Sequence, residues 1–124
     1  MCYFETTRDC NLNCPGCMTR MESEAPPSLS TEEAKTLVID EVAKICPTGS
    51  IAFSGGEFLL RSDAFELLDY ATSRKLYSFV NTNGTLLEPT LISRIKDTCR
   101  GRVTFGLSLD SVDTEVHNRS RPGG

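Results

Sequence analysis

Four short strand-like runs alternate along the chain with segments of helical periodicity, and this alternation confines it to a parallel sheet flanked by helices. Residues 2–7, 51–53, 77–80 and 103–109 carry the strand patterns. Between the first two, Ser30 and Glu33 form a capping box. Ala34, Leu37, Val38, Val42 and Ile45 then recur at helical spacing until Pro47 and Gly49 stop the helix. Ser62 and Asp63 offer the next cap, ahead of a stripe of Phe65, Leu68 and Ala71. Pro89 suits the first turn of a third helix, Leu91, Ile92 and Ile95 supply its buried face, and Gly101 suits its stop. The order β-α-β-α-β-α-β requires crossover connections, which are right-handed in such sheets.

At 124 residues the chain has room for one domain with a modest core. Hydrophobic residues make up 39% and charged residues 24%, which excludes a disordered tail, a collagen-like repeat and a coiled coil. No apolar run is longer than four residues, far short of the ~20 that cross a bilayer, and no secretory leader pattern opens the chain. A formal charge of −4 argues against a nucleic-acid-binding surface. A soluble, cytoplasmic domain without membrane or nucleic-acid partners is expected. Ala25-Pro26-Pro27-Ser28 reads as a loop, and Arg121-Pro122-Gly123-Gly124 ends the chain without a fifth strand pattern. A complete eight-stranded barrel takes about 250 residues. The expectation is therefore α/β, a partial (β/α) barrel of TIM type, truncated after about four parallel strands.

Functional loops in such sheets lie beyond the C-terminal strand ends. Every unusual motif falls there: the cysteines after the first strand, Ser54-Gly55-Gly56-Glu57 after the second, Asn81-Thr82-Asn83-Gly84-Thr85 after the third, and Ser108-Leu109-Asp110-Ser111 at the fourth. Of the six cysteines, Cys10, Cys14 and Cys17 are clustered with C-x3-C-x2-C spacing, while Cys2, Cys46 and Cys99 are scattered. Three thiolates on one tight loop can hold three corners of an iron–sulfur cube and leave one iron open. Structural zinc is the alternative, although it usually takes two cysteine pairs or a Cys/His set, and His117 is the sole histidine. An electron carrier would need a fourth protein ligand.

With those four motifs in register along nearly its whole length, the chain resembles the radical S-adenosylmethionine (SAM) enzymes. Two positions depart from the family pattern: Gly16, where an aromatic residue often precedes the last cysteine, and Phe58, where proline commonly follows the Gly-Gly-Glu. The resemblance makes residues 1–124 the N-terminal portion of a radical SAM core domain, with the remaining barrel strands and any C-terminal domain absent. It implies that Cys10, Cys14 and Cys17 bind a 4Fe-4S cluster whose open iron is chelated by the amino and carboxylate groups of S-adenosylmethionine. Gly55 and Gly56 would let backbone come close to the methionyl amine, and Glu57 would accept a hydrogen bond from it. Ser108 and Asp110, alternating on a strand, would face the cofactor ribose, with Asn83 a further member of the pocket.

The implied activity is reductive cleavage of S-adenosylmethionine to methionine and a 5′-deoxyadenosyl radical that abstracts hydrogen from a substrate. A low-potential donor such as flavodoxin or ferredoxin would supply the electron. The stretch from Asp113 through His117 to Gly123 looks like members that modify peptides or build cofactors, so the substrate is a peptide or a small molecule. The competing readings are a zinc-stabilised or degenerate non-catalytic scaffold and an iron–sulfur electron carrier.

Overall fold

Sheet order follows chain order. The computed structural model of the protein, which describes residues 1–21 and 27–123, has four parallel strands arranged β1-β2-β3-β4. They are β1 (Cys2–Thr7), β2 (Ser50–Gly55), β3 (Tyr77–Thr82) and β4 (Val103–Leu107). Phe4 pairs with Phe53, Phe53 with Val80, and Val80 with Phe105, so a row of apolar side chains crosses the sheet. β2 is buried at Ile51, Ala52 and Phe53 in succession, as expected of a central strand covered on both faces. Ala25 and Pro26, in the expected loop before the first long helix, lie outside the described residues.

The helices are α1 (Met18–Met21), α2 (residues 31–45), α3 (Ala64–Ser73), α4 (Pro89–Thr98) and α5 (Thr114–Ser120). α1 and α5 were not part of the expected alternation. The capping box at α2 forms as the sequence predicts. Ser30 Oγ accepts from the Glu33 N–H at 3.3 Å, and the Glu33 carboxylate accepts from the Ser30 N–H at 2.9 Å. The apolar face of α2 differs from expectation, because Leu37 and Ile45 are exposed while Ala34 and Ile39 are fully buried. The cause is a π-type stretch over Ala34–Ile39, closed by the Asp40 N–H on the Lys35 carbonyl. The wider turn brings residues five apart onto one face, shifting the buried stripe off the regular period.

The α3 cap also differs. Asp63 stands at the N-cap without capping, since its carboxylate pairs with Arg61 at 2.7 Å and accepts from Thr31 at 2.6 Å. Arg61 continues from there to the carbonyls of Thr6 (2.5 Å) and Leu29 (3.1 Å), tying the end of β1 to the approach to α2. Pro89 opens α4, and the Gly101 N–H closes it on the Lys96 carbonyl at 2.9 Å with Gly101 at φ +73°. The core lies between sheet and helices. Phe53 stacks on Phe58 with ring centroids 4.8 Å apart and meets Phe4 at 6.4 Å, while Leu67, Leu68, Leu76 and Ile95 close it from the helical side.

Candidate functional site

The three-thiol loop leaves the end of β1 and folds back on itself. Cys10, Cys14 and Cys17 are free and half-buried, and the Cys17 N–H donates to the Cys14 carbonyl at 3.2 Å. Leu12 anchors the loop as its buried side chain, and the Asn13 N–H donates to the Pro122 carbonyl at 2.8 Å, joining it to the segment after α5. Cys2 opens β1, and Cys46 and Cys99 cap the C-terminal ends of α2 and α4, just before strands begin. All three therefore sit at the opposite end of the sheet, a six-residue strand away, which is roughly 16 Å.

The loop after β2 packs against the loop after β1. The Gly56 N–H donates to the Thr7 carbonyl and the Glu57 N–H to the Asp9 carbonyl, both at 2.7 Å. A side chain on Gly55 would overlap the Thr7 carbonyl oxygen, and one on Gly56 would overlap that of Asp9. Gly55 also holds φ +126°, a conformation that favours glycine. The contact that demands two glycines in this structure is protein backbone, that of Thr7 and Asp9.

Glu57 departs further from expectation. Its side chain is fully buried, and each carboxylate oxygen is taken by a backbone N–H: Leu59 to Oε1 at 3.2 Å, Asn83 to Oε2 at 2.7 Å. A carboxylate enclosed this way is a strut between the β2 and β3 loops rather than a group presented to a ligand amine.

Asn83 is at the junction of three loops. Its Oδ1 accepts from the Thr85 N–H at 2.9 Å and the Thr85 hydroxyl at 2.7 Å. Its Nδ2 donates to Asn11 Oδ1 at 2.9 Å and faces Cys10 Sγ at 3.8 Å. Asn83, expected from sequence in the cofactor pocket, reaches the cysteine loop. Asn81 lies on β3 instead, its side chain against the space that Gly106 leaves open.

At the fourth strand the sequence reading is corrected. β4 ends at Leu107, and the Leu109 N–H turns back onto the Leu107 carbonyl at 3.1 Å, so Ser108 and Asp110 do not share a face by strand alternation. Ser108 extends the ladder by one bond, its N–H donating to the Thr82 carbonyl at 3.0 Å. Asp110 alone reaches a cavity of about 310 Å³ shared with Cys14, Gly16, Cys17, Met18, Ser120 and Arg121. There its carboxylate accepts from the Ser120 hydroxyl and from Arg121 Nε (2.9 Å) and Nη2 (3.0 Å). Arg121 first, then Ser120, holds the Asp110 carboxyl below the usual carboxylate range. Arg121 is pushed up in return, chiefly by Asp110, with Cys14 and Cys17 acting in the same direction.

From sequence, Arg119 and Arg121 could face the cofactor carboxylate, although solvated basic residues are more common. The structure brings Arg121 to the cavity beside Cys14 and Cys17, because α5 turns the chain back over the cysteine loop. The lone histidine, His117, lies on α5, with Nδ1 buried and unpartnered.

The donor chemistry suits a cluster better than a single ion. Among the described residues, no group of three or more His, Cys, Asp or Glu side chains converges as ligands of one ion must. Ligands of a cube bind separate irons and surround it, which a C-x3-C-x2-C loop with a donor amide on one side and a guanidinium on the other can do.

Comparison with known proteins gives a consistent result. The family model described as the Radical SAM superfamily matches residues 4–124. The AdoMet-dependent heme synthase of Methanosarcina barkeri is 39% identical over 123 residues, covering 97% of this chain and 34% of the relative. The antilisterial bacteriocin subtilosin biosynthesis protein AlbA of Bacillus subtilis is 34% identical over 121 residues, covering 95% of this chain and 26% of the relative. Among solved structures, native anSMEcpe with bound AdoMet superposes with a TM-score of 0.72 at 26% identity, over 98% of this chain and 34% of that one. The chain spans about a quarter to a third of the length of these relatives.

Proposed function

The chain belongs to the Radical SAM superfamily, and on that premise we propose that its three-thiol loop holds a 4Fe-4S cluster for the reductive cleavage of S-adenosylmethionine. The observation that carries this reading is the convergence of separate loops on one sheet rim. Asn83, from the β3 loop, contacts Cys10, and Arg121, from beyond β4, shares a cavity with Cys14 and Cys17. Among the described residues, Cys2, Cys46 and Cys99 lie at the far end of the sheet, so none of these three thiols reaches the open corner as an electron carrier's fourth ligand would. Held by Cys10, Cys14 and Cys17, the cluster would supply the one electron that cleaves the sulfonium carbon–sulfur bond, to give methionine and a 5′-deoxyadenosyl radical for hydrogen abstraction from the substrate.

The chain's own part is to bind, orient and enclose. Cys10, Cys14 and Cys17 ligate three corners. Gly55 and Gly56, held against the end of β1, offer backbone rather than side chain at the rim. Arg121 supplies positive charge beside Cys14 and Cys17, which suits the methionyl carboxylate. Asp110 already accepts three bonds, leaving one of about four acceptor positions for a ribose hydroxyl. Gly16 keeps the cavity floor open where a bulkier residue would fill it; no atom lies within 4 Å of the space its side chain would take.

The substrate belongs to peptide modification or cofactor biosynthesis, the classes to which the named relatives belong. A low-potential donor such as flavodoxin or ferredoxin supplies the electron. No helix among the described residues is long and apolar enough to cross a membrane.

Anaerobic reconstitution followed by electron paramagnetic resonance of the reduced protein, with and without S-adenosylmethionine, tests the reading. A four-iron signal that changes on adding the cofactor is expected. A signal indifferent to it, or a colourless protein that retains zinc after the same treatment, would overturn the proposal.

A further inference from the structure

The Asn83 side chain has its orientation dictated from one end. The Thr85 backbone N–H is only a donor, so the Asn83 atom facing it at 2.9 Å must be Oδ1. The opposite end is therefore the NH2 group. One of its hydrogens meets Asn11 Oδ1 at 2.9 Å, and the other is directed at Cys10 Sγ at 3.8 Å. Asn11 is itself oriented, since its Nδ2 donates to Thr85 Oγ1 at 2.8 Å. The Asn83 backbone is held separately by the buried Glu57, which takes its N–H at 2.7 Å. A second donor reaches the same sulfur from within the loop, the Leu12 N–H at 3.4 Å. Among the described residues, Cys14 and Cys17 receive no such bond; their neighbour is the Arg121 charge.

We infer that Asn83 is a positioning residue for the Cys10 corner of the metal site, donating an N–H to the Cys10 sulfur and raising the reduction potential of the bound cluster. The inference rests on the cluster reading proposed above. Reduction places additional negative charge on the cluster and its thiolates, and a fixed N–H dipole aimed at a sulfur stabilises the reduced state more than the oxidised one. The donor cannot turn away, because rotating the amide would set its NH2 against the Thr85 N–H. Asn83 and Cys10 are 73 residues apart in sequence, so this bond couples the β3 loop directly to the metal loop.

The test compares the reconstituted protein with Asn83→Asp and Asn83→Leu. Iron and sulfide content is measured first, and the midpoint potential is then read by dithionite titration followed by electron paramagnetic resonance. Asp keeps the oxygen that Thr85 needs and replaces the donor with an acceptor; Leu removes the donor without adding charge. At wild-type iron content, both variants are expected to shift the midpoint to more negative potential, Asp further than Leu. Full iron content with an unchanged midpoint overturns the assignment. Should Leu fail to load, Asp decides by the same criterion; if neither loads, Asn83 serves the loop's fold alone and the tuning role is refuted. A wild-type protein that takes up no four-iron cluster refutes the cluster reading itself, an outcome separate from all of these.

Discussion

The Asn83 backbone N–H donates to Glu57 Oε2 at 2.7 Å, and through that one bond the loop after β3 hangs from a fully buried carboxylate of the loop after β2. Glu57 holds Leu59 with its other oxygen, while its own N–H is anchored on Asp9. Three loops of the rim are thus fixed to one another before any ligand arrives, which is the preorganisation a cofactor site requires.

Glu57→Gln tests the strut. Both carboxylate oxygens face backbone donors, so the glutamine NH2 must oppose either the Leu59 or the Asn83 N–H. The expected loss is about 1–3 kcal/mol in denaturant unfolding, the cost of a buried unsatisfied donor. Unchanged stability would mean that the carboxylate bonds are dispensable.

Gly56→Ala introduces a methyl group into the Asp9 carbonyl, with backbone on both sides of the clash. Destabilisation of about 1–3 kcal/mol is expected, together with a displaced cysteine loop and reduced iron content. Gly16→Ala is the control, because open space surrounds that position and little change should follow.

Cys14→Ala should abolish iron and sulfide incorporation while leaving far-ultraviolet circular dichroism intact, since Cys14 lies on a half-buried loop and not in the core. Wild-type iron content in that variant would contradict the ligand assignment.

Arg121→Gln should leave cluster loading intact and weaken S-adenosylmethionine binding by roughly tenfold, the effect of losing about 1.4 kcal/mol from one charge-assisted contact. The comparison is a titration of the reconstituted protein with the cofactor. Equal affinities would remove Arg121 from the site.

The Arg61–Asp63 pair predicts an acid-side dependence of stability in the cluster-free protein. Arg61 first, and then Thr31, hydrogen-bonds the charged Asp63 carboxylate and holds it below its ordinary value of 3.8. The folded-state pKa is depressed, so the stabilisation is full above 3.8 and is lost as the pH falls through the folded value. Urea midpoints should decline over that window in the wild type and less steeply in Asp63→Asn.

Much of this protein was legible locally. The Ser30–Glu33 box, Pro89 at the start of α4 and Gly101 at its end involve residues within one or two turns, where backbone geometry and side-chain spacing decide the outcome alone. Four strand patterns separated by helical ones sufficed for a parallel sheet, and motifs placed after strands necessarily met at one rim. The grouping of three thiols on one short loop was equally plain, since C-x3-C-x2-C spacing leaves them within one tight turn of chain. The α2 stripe was misplaced because the π-type stretch departs from the regular period that the pattern assumes.

What the sequence by itself determined, then, is the element order, the caps and the grouping of thiols, all set by short-range stereochemistry. Tertiary structure alone decided that Glu57 turns inward, that Gly55 and Gly56 are required by the backbone of β1 and of the loop after it, that β4 stops before Ser108, and that Arg121 reaches the cysteines. Those outcomes depend on contacts between distant segments, such as Glu57 with Asn83 and Asn83 with Cys10, separated by 26 and 73 residues. A motif's spacing identifies which groups are present. Which way each one faces is settled by packing, because a buried polar group must find its partners wherever the fold brings them.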